Sequence, residues 1–361
     1  MNRLFTVLSL AFIGLIAANC NKDDSPSGPS VVELRDRAEV KQENEASIEA
    51  YLKSHYIKEE GDIITFETIK NSESSIWDDS RLVKDFVLKS DMYDFEPIRN
   101  PNGTTSLKYT KPKDELQYKV YYLVINEGKG DRASTIDSTY VKLNNLTLRN
   151  EEFNPNFPGK YYTFPTTPKD FMNISNGQYS KVPGQLRSAE RQLLTKIKTA
   201  TGIKNGEDGL PTYDEGSAGR IIAFIPSGLG YFNAGAGSKL KGYEAYITDL
   251  TLIHRLERDH DGDGILSKYE VNVQKPVEEL TLEDYFGFDT DGDGIPNFLD
   301  DDDDGDGVLT KTELFKERVD GVNIYYNFDD PALKTCNDIP RYLDKSCFPD
   351  QKDGEIIWPK K

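Results

Sequence analysis

GRIIAFIPSGLGYF, residues Gly219–Phe232, runs on through NAGAGSKLKG (233–242) into YEAYITDLTLI (243–253). Arg220–Ile225 is a β-branched and aromatic run that ends at Pro226, a residue with no backbone donor for a strand ladder. A glycine-rich loop separates it from a second strand-like run, Tyr243–Ile253. Similar runs lie upstream at Gln117–Asn126 (QYKVYYLVIN) and Thr139–Leu148. Such strands build an antiparallel sheet more readily than a parallel one. One strong helical pattern interrupts them, Ser188 to Ala200, with Leu193, Leu194 and Ile197 on one side, Ser188 as N-cap and Gly202 as stop. Several strands around one helix indicate an α+β domain.

Further upstream, Ile48, Tyr51, Leu52 and His55 fall at i, i+3, i+4 and i+7 within Glu33–Tyr56, the spacing of an amphipathic helix. Residues 57–110 are rich in turn signals such as Asn102-Gly103 and carry no recognisable chemistry. They are expected to form a small N-terminal module or an embellishment.

Downstream, the sequence becomes acidic and periodic. In DHDGDGILSKYE, Asp259, Asp261 and Asp263 occupy positions 1, 3 and 5 of a twelve-residue loop, Gly264 position 6, Ile265 position 7, Ser267 position 9 and Glu270 position 12. This is the full EF-hand loop pattern. Ca²⁺ needs six to eight hard oxygens; alternate aspartates point carboxylates to one centre, Ile265 lends its carbonyl, and Glu270 closes the site. The pattern returns with Asp289, Asp291, Asp293, Ile295 and Asp300, and again with Asp302, Asp304, Asp306, Val308 and Glu313. The second and third loops abut with no room for a helix between them. The stretch therefore resembles thrombospondin type 3 repeats, in which calcium forms the core and regular structure is sparse, and Asp300 could serve neighbouring ions. About three structural Ca²⁺ ions are expected and no organic cofactor. The competing reading is a disordered acidic tail, which a glycine at the same offset in three loops disfavours.

The first twenty residues have a basic start at Arg3, an apolar run from Leu4 to Ala18, and Cys20, the layout of a secretory signal. With small residues before the cysteine it resembles a bacterial lipoprotein signal, in which Cys20 carries the lipid; the alternative is an uncleaved anchor helix. Residues 23–32 are rich in Ser, Pro and Gly and read as a flexible tether. The formal charge is −18, from 62 acidic against 44 basic residues. Cations are expected partners and nucleic acid is not. In an oxidising envelope Cys336 and Cys347 are expected to pair as one disulfide, the alternative being two free buried thiols. The three histidines make no zinc pattern.

The strand ending in Ile225-Pro226, the triplet Gly230-Tyr231-Phe232, the glycine-rich flap and the aromatic-bearing last strand resemble the C-terminal half of an FKBP-type peptidyl-prolyl isomerase. YYLVINEGKGD resembles that family's first strand, Arg149–Phe153 its pocket hairpin, and Val182-Pro183-Gly184 the segment leading to the pocket floor. The resemblance spans about residues 112–256, and with the helix and repeats it extends to FKBP-like lipoproteins of Flavobacteria, within the Bacteroidetes. It implies a sheet wrapped on one helix and pocket residues Phe153, Val182, Tyr231 and Tyr246, with the Tyr231 hydroxyl donating to the substrate carbonyl. Gln185, Asn154 and Leu143 depart from the family's tryptophan, aspartate and tyrosine.

The expected organisation is a signal peptide (1–19), lipidated cysteine and tether (20–32), N-terminal helix and embellishment (33–111), FKBP-like domain (112–256), calcium repeats (257–316) and a disulfide-bearing C-terminal segment (317–361). The implied function is a peptidyl-prolyl isomerase or foldase on the outer membrane, surface-exposed or else periplasm-facing, acting on proline-containing exported polypeptides. The alternative is a catalytically degenerate, calcium-rigidified subunit of an outer-membrane secretion or transport complex.

Overall fold

The computed structural model describes residues 34–91, 94–99, 105–110, 114–164, 172–175, 178–181, 186–207, 209–352 and 355–359. Cys20 with its signal peptide, and Val182 with Gln185, lie outside the described residues. Among the described residues no helix is long and apolar enough to cross a membrane.

The elements that position the site are α1 (Arg37–Ser54), β1 (Leu82–Val83), β2 (Tyr121–Asn126), β3 (Ser138–Thr147), β4 (Glu152–Phe153), β5 (Lys160–Tyr162), α2 (Ser188–Leu194), β6 (Gly219–Ile225) and β7 (Tyr246–Leu256). Their strands form one sheet in the order β4-β3-β7-β6-β2-β1, with β5 also on β3, and every pairing is antiparallel. The register runs Ile225 opposite Tyr246 and Tyr246 opposite Thr147.

Alternation along β6 explains how the sheet is covered. Ile221, Ala223 and Ile225 face a core that contains Ala189, Leu193 and Leu194 of α2, whereas Ile222 and Phe224 face Ile48, Tyr51 and Leu52 of α1. A period of two thus supplies both faces from one strand. Each fully buried Ile or Phe removes enough apolar surface to contribute about 1.5–3 kcal/mol, so the sheet is held between two helices rather than wrapped on one alone.

Two boundaries differ from those the pattern suggests. α2 stops at Leu194, and the following residues turn into extended backbone that joins Glu127, Asp131 and Ile253 through the amides of Lys198, Thr199 and Ala200. Its N-cap is Arg187, whose backbone amide is held by the Glu190 carboxylate at 2.9 Å, while the Ser188 hydroxyl accepts from the Asp91 amide instead. β7 begins at Tyr246, because Tyr243 sits at φ +69°, in the left-handed region that no strand uses.

Beyond β7 regular structure is short. Ile136 of the sheet domain packs with Leu280, Leu282, Tyr285 and Phe298, so this region carries an apolar core of its own beside its carboxylates. Cys336 and Cys347 are disulfide-bonded, with Cα atoms 5.5 Å apart.

Candidate functional site

Three of the four expected pocket residues converge. Pairing of β4 with β3 sets Phe153 opposite Asn145, and β7 brings Tyr246 beside it. Tyr231 follows the short turn Ser227–Leu229 at the end of β6. Gly230 is required there, since a Cβ would sit 2.5 Å from the Tyr246 ring. The rings meet edge to face, with centroids 5.7 Å apart for Phe153–Tyr231, 5.8 Å for Phe153–Tyr246 and 5.3 Å for Tyr231–Tyr246. Phe153 and Tyr246 are buried and Tyr231 is half-buried, so Tyr231 is the member that faces outward.

Of the polar groups around these rings, Asn154 alone was singled out in the sequence. The Tyr246 hydroxyl donates to Glu190 at 3.2 Å, and the Asn145 amide donates to the same carboxylate oxygen at 3.3 Å. Burial pushes the Glu190 carboxyl up and the Tyr246 hydroxyl well up. The Arg187 guanidinium lies 4.2 Å from the Tyr231 ring centre, and the Asn154 amide donates to the Tyr231 hydroxyl at 3.3 Å. Leu143 is an ordinary core residue of the α2 face.

The flap is closed on itself by two bonds between Ala236 and Leu240 and is tied to the β3–β4 hairpin through Arg149 and Lys239. From the other side α1 grips its ends. Asn44 accepts from the Ser227 amide at 2.6 Å and donates to the Tyr243 carbonyl at 2.8 Å.

The three acidic loops repeat one hydrogen-bond scheme. The position 1 aspartates Asp259, Asp289 and Asp302 accept from Gly264, Gly294 and Gly307 at 3.0–3.1 Å. At position 3, Asp261, Asp291 and Asp304 accept from the amides two residues on, and at position 5, Asp263, Asp293 and Asp306 accept from Ile265, Ile295 and Val308. The glycine at position 6 has φ of +107°, +95° and +91° in turn, a conformation costly for any residue with a Cβ.

Each set of three aspartates gathers oxygens within 4.8 Å of one another. The second oxygens of Asp261, Asp263, Asp304 and Asp306, and both of Glu270 and Glu313, are buried without a hydrogen-bond partner. Without a cation, burial and then neighbouring carboxylates push Asp261, Asp263 and Glu270 upward and bring Glu313 up to about 9. All donors are hard carboxylate or carbonyl oxygens, a set that fits Ca²⁺ and not a soft metal. Asp300 spends one oxygen on the Asp302 amide and joins none of the gathered groups. A fourth group, Asp263, Glu270 and Asp303, was not foreseen, because Asp303 sits at position 2 of its loop, outside the spacing rule.

Residues 253–339, which include all three loops, match the family model described as BamM C-terminal. No curated protein matches the chain. Similar solved structures are of the FKBP type. FkpA from Escherichia coli is 16% identical over 38% of this chain and 48% of that one, with a TM-score of 0.25. A peptidyl-prolyl cis-trans isomerase from Pseudomonas syringae pv. tomato is 12% identical over 38% and 74%, with a TM-score of 0.25. The three FKBP domains of wheat FKBP73 are 15% identical over 38% and 44%, again at 0.25. The chain spans about half the length of the FkpA structure.

Proposed function

We propose that this chain is an FKBP-type peptidyl-prolyl isomerase domain joined to a calcium-stabilised module, anchored through Cys20 at the outer membrane and acting on proline-containing exported polypeptides. The observation that carries this is the meeting of Phe153, Tyr231 and Tyr246 at one end of the sheet; Val182, outside the described residues, joins this pocket on the family resemblance alone. Rotation about an amide costs about 18–20 kcal/mol because resonance is lost. A twisted amide has less charge separation than a planar one, so an aromatic, water-poor surface favours it selectively. Tyr231 carries the outward hydroxyl, and its role is to donate to the substrate carbonyl, with Asn154 orienting it. Asp259, Asp261, Asp263, Ile265 and Glu270, with their counterparts in the other two loops, would hold structural Ca²⁺ and keep clustered carboxylates from repelling.

The test is isomerisation of a short Xaa-Pro peptide by the full-length protein in detergent with calcium. Acceleration is expected, and Tyr231→Phe should lower it roughly two- to tenfold, the worth of one hydrogen bond of about 0.5–1.5 kcal/mol. Wild-type protein that is folded and calcium-loaded yet leaves the rate at background would sink the enzymatic reading.

A second reading is favoured by Arg187, which covers the Tyr231 ring, and by the C-terminal family match, which hints at an outer-membrane assembly. In it the aromatic site is a docking surface and the chain is a non-catalytic subunit of an outer-membrane complex. Unchanged isomerisation with co-purification of outer-membrane proteins, lost in a Tyr231→Ala variant, would select it.

A further inference from the structure

In all three acidic loops the residue at position 2 hands its backbone amide to the side chain at position 9: His260 to Ser267 at 3.1 Å, Thr290 to Asn297 at 2.9 Å and Asp303 to Thr310 at 3.1 Å. Position 9 is where an EF-hand loop ordinarily contributes a ligand, often through water. In the first loop that option is used up, since the Ser267 hydroxyl also bonds the His260 ring at 2.9 Å. The ring of ligands around the first loop's centre therefore lacks one contributor from its own chain segment.

Asp303 of the third loop lies beside two of the first loop's expected ligands. Oxygens of Asp263, Glu270 and Asp303 all lie within 4.8 Å of one another, and the three residues are 1%, 3% and 2% exposed. Both Asp303 oxygens, both Glu270 oxygens and the second Asp263 oxygen have no hydrogen-bond partner. Three buried carboxylates with five of their six oxygens unpartnered are unfavourable unless a cation compensates them. Asp263 also belongs to the group with Asp259 and Asp261. Asp263 is thus the member common to both groups, which lets one cation serve them together. A Ca²⁺ ion 2.3–2.6 Å from each oxygen keeps every pair within about 5 Å, and within each of the two groups the oxygens meet that limit.

We infer that Asp303 is a ligand, from the third loop, of the calcium ion held by the first loop, so that one ion staples residues 259–270 to residues 302–313. This rests on the calcium reading proposed above. The loops are already in contact where the staple would act: Lys311 donates to the Gly262 carbonyl at 2.8 Å, and Ile265 and Leu314 share one apolar cluster. With Asp259, Asp261, Asp263, the Ile265 carbonyl and bidentate Glu270, Asp303 brings the oxygens to seven, within the six to eight that Ca²⁺ takes.

The test compares full-length wild type, Asp303→Asn, its exposed neighbour Asp301→Asn, and Asp289→Asn in the second loop, by calorimetric calcium titration and by thermal unfolding in calcium and in chelator. Asp303→Asn is expected to weaken one site at least tenfold and leave the others alone, with Asp301→Asn like wild type and Asp289→Asn weakening a different site. Removing one of three clustered carboxylates also predicts a crossover, in which Asp303→Asn melts higher than wild type in chelator and lower in calcium. Should the variant fold only in excess calcium, the concentration for half-folding should rise by the same factor. Asp303→Asn that binds calcium as wild type does, while Asp289→Asn loses a site, overturns the staple and leaves the loops as calcium sites. A wild type that binds no calcium overturns both.

Discussion

Asn44→Ala isolates how the N-terminal helix holds the segment that presents Tyr231. Asn44 is buried on α1, and its single amide satisfies the Ser227 N–H at 2.6 Å and the Tyr243 carbonyl at 2.8 Å, the two ends of the flap. Ser227 is fully buried, so its amide would have no water to turn to, and leaving it unpaired costs about 1–3 kcal/mol. Tyr243 is half-buried, and water can replace the lost donor there at little cost. The loss falls on opening of the flap, so hydrogen exchange over 227–243 should speed up roughly five- to 150-fold, at about 1.4 kcal/mol per decade. Gln42→Ala, two residues away on the exposed face, should leave exchange unchanged. Asn44→Asp keeps the acceptor for Ser227 and should fall between the two. If exchange over 227–243 in Asn44→Ala matched wild type while the variant stayed folded, the helix would be a bystander and the reasoning would fail.

Calcium removal should act on stability by mass action: for loops of 10⁻⁴–10⁻³ M affinity in about 10 mM calcium, each ion contributes about 1.4–2.7 kcal/mol. Chelator should therefore lower the melting temperature of wild type markedly, and an unchanged melting curve would refute structural calcium. Glu190 gives a pH test. Burial raises its carboxyl, so the stability it confers is present below the ordinary carboxylate range and lost as pH rises toward the raised value. The stability difference between Glu190→Gln and wild type should shift in favour of the variant between pH 5 and pH 8; a difference constant across that range would show that Glu190 is ionised throughout. Replacing both Cys336 and Cys347 by serine opens a loop with a sequence separation of 11 and should cost up to about 3 kcal/mol. Calorimetry would show the loss in the C-terminal region, and no change would mean that the segment is already fixed by Arg341 on the Glu313 carbonyl.

What the sequence disclosed and what it withheld divide along physical lines. β-Branched and aromatic runs located four strands of the main sheet, because a strand buried on both faces writes itself into local composition. The loop aspartates were legible because one ion imposes a fixed spacing on a short stretch of chain. Phe153, Tyr231 and Tyr246 could be named only through resemblance, since aromatic residues 78 and 15 positions apart carry no local mark of meeting. The same limit hid Asn44 and Glu190, whose partners are set by strand order rather than by neighbours in sequence. It hid Asp303 for a further reason: inside a run of five aspartates, 300–304, the loop rule claims Asp302 and Asp304 at positions 1 and 3 and gives Asp303, at position 2, no role. A rule that describes ligands within one loop has no term for a ligand arriving from another. Carboxylates between claimed positions in abutting loops are therefore the ones to examine for contacts across loops, and here burial without a hydrogen-bond donor is what separates Asp303 from exposed Asp301.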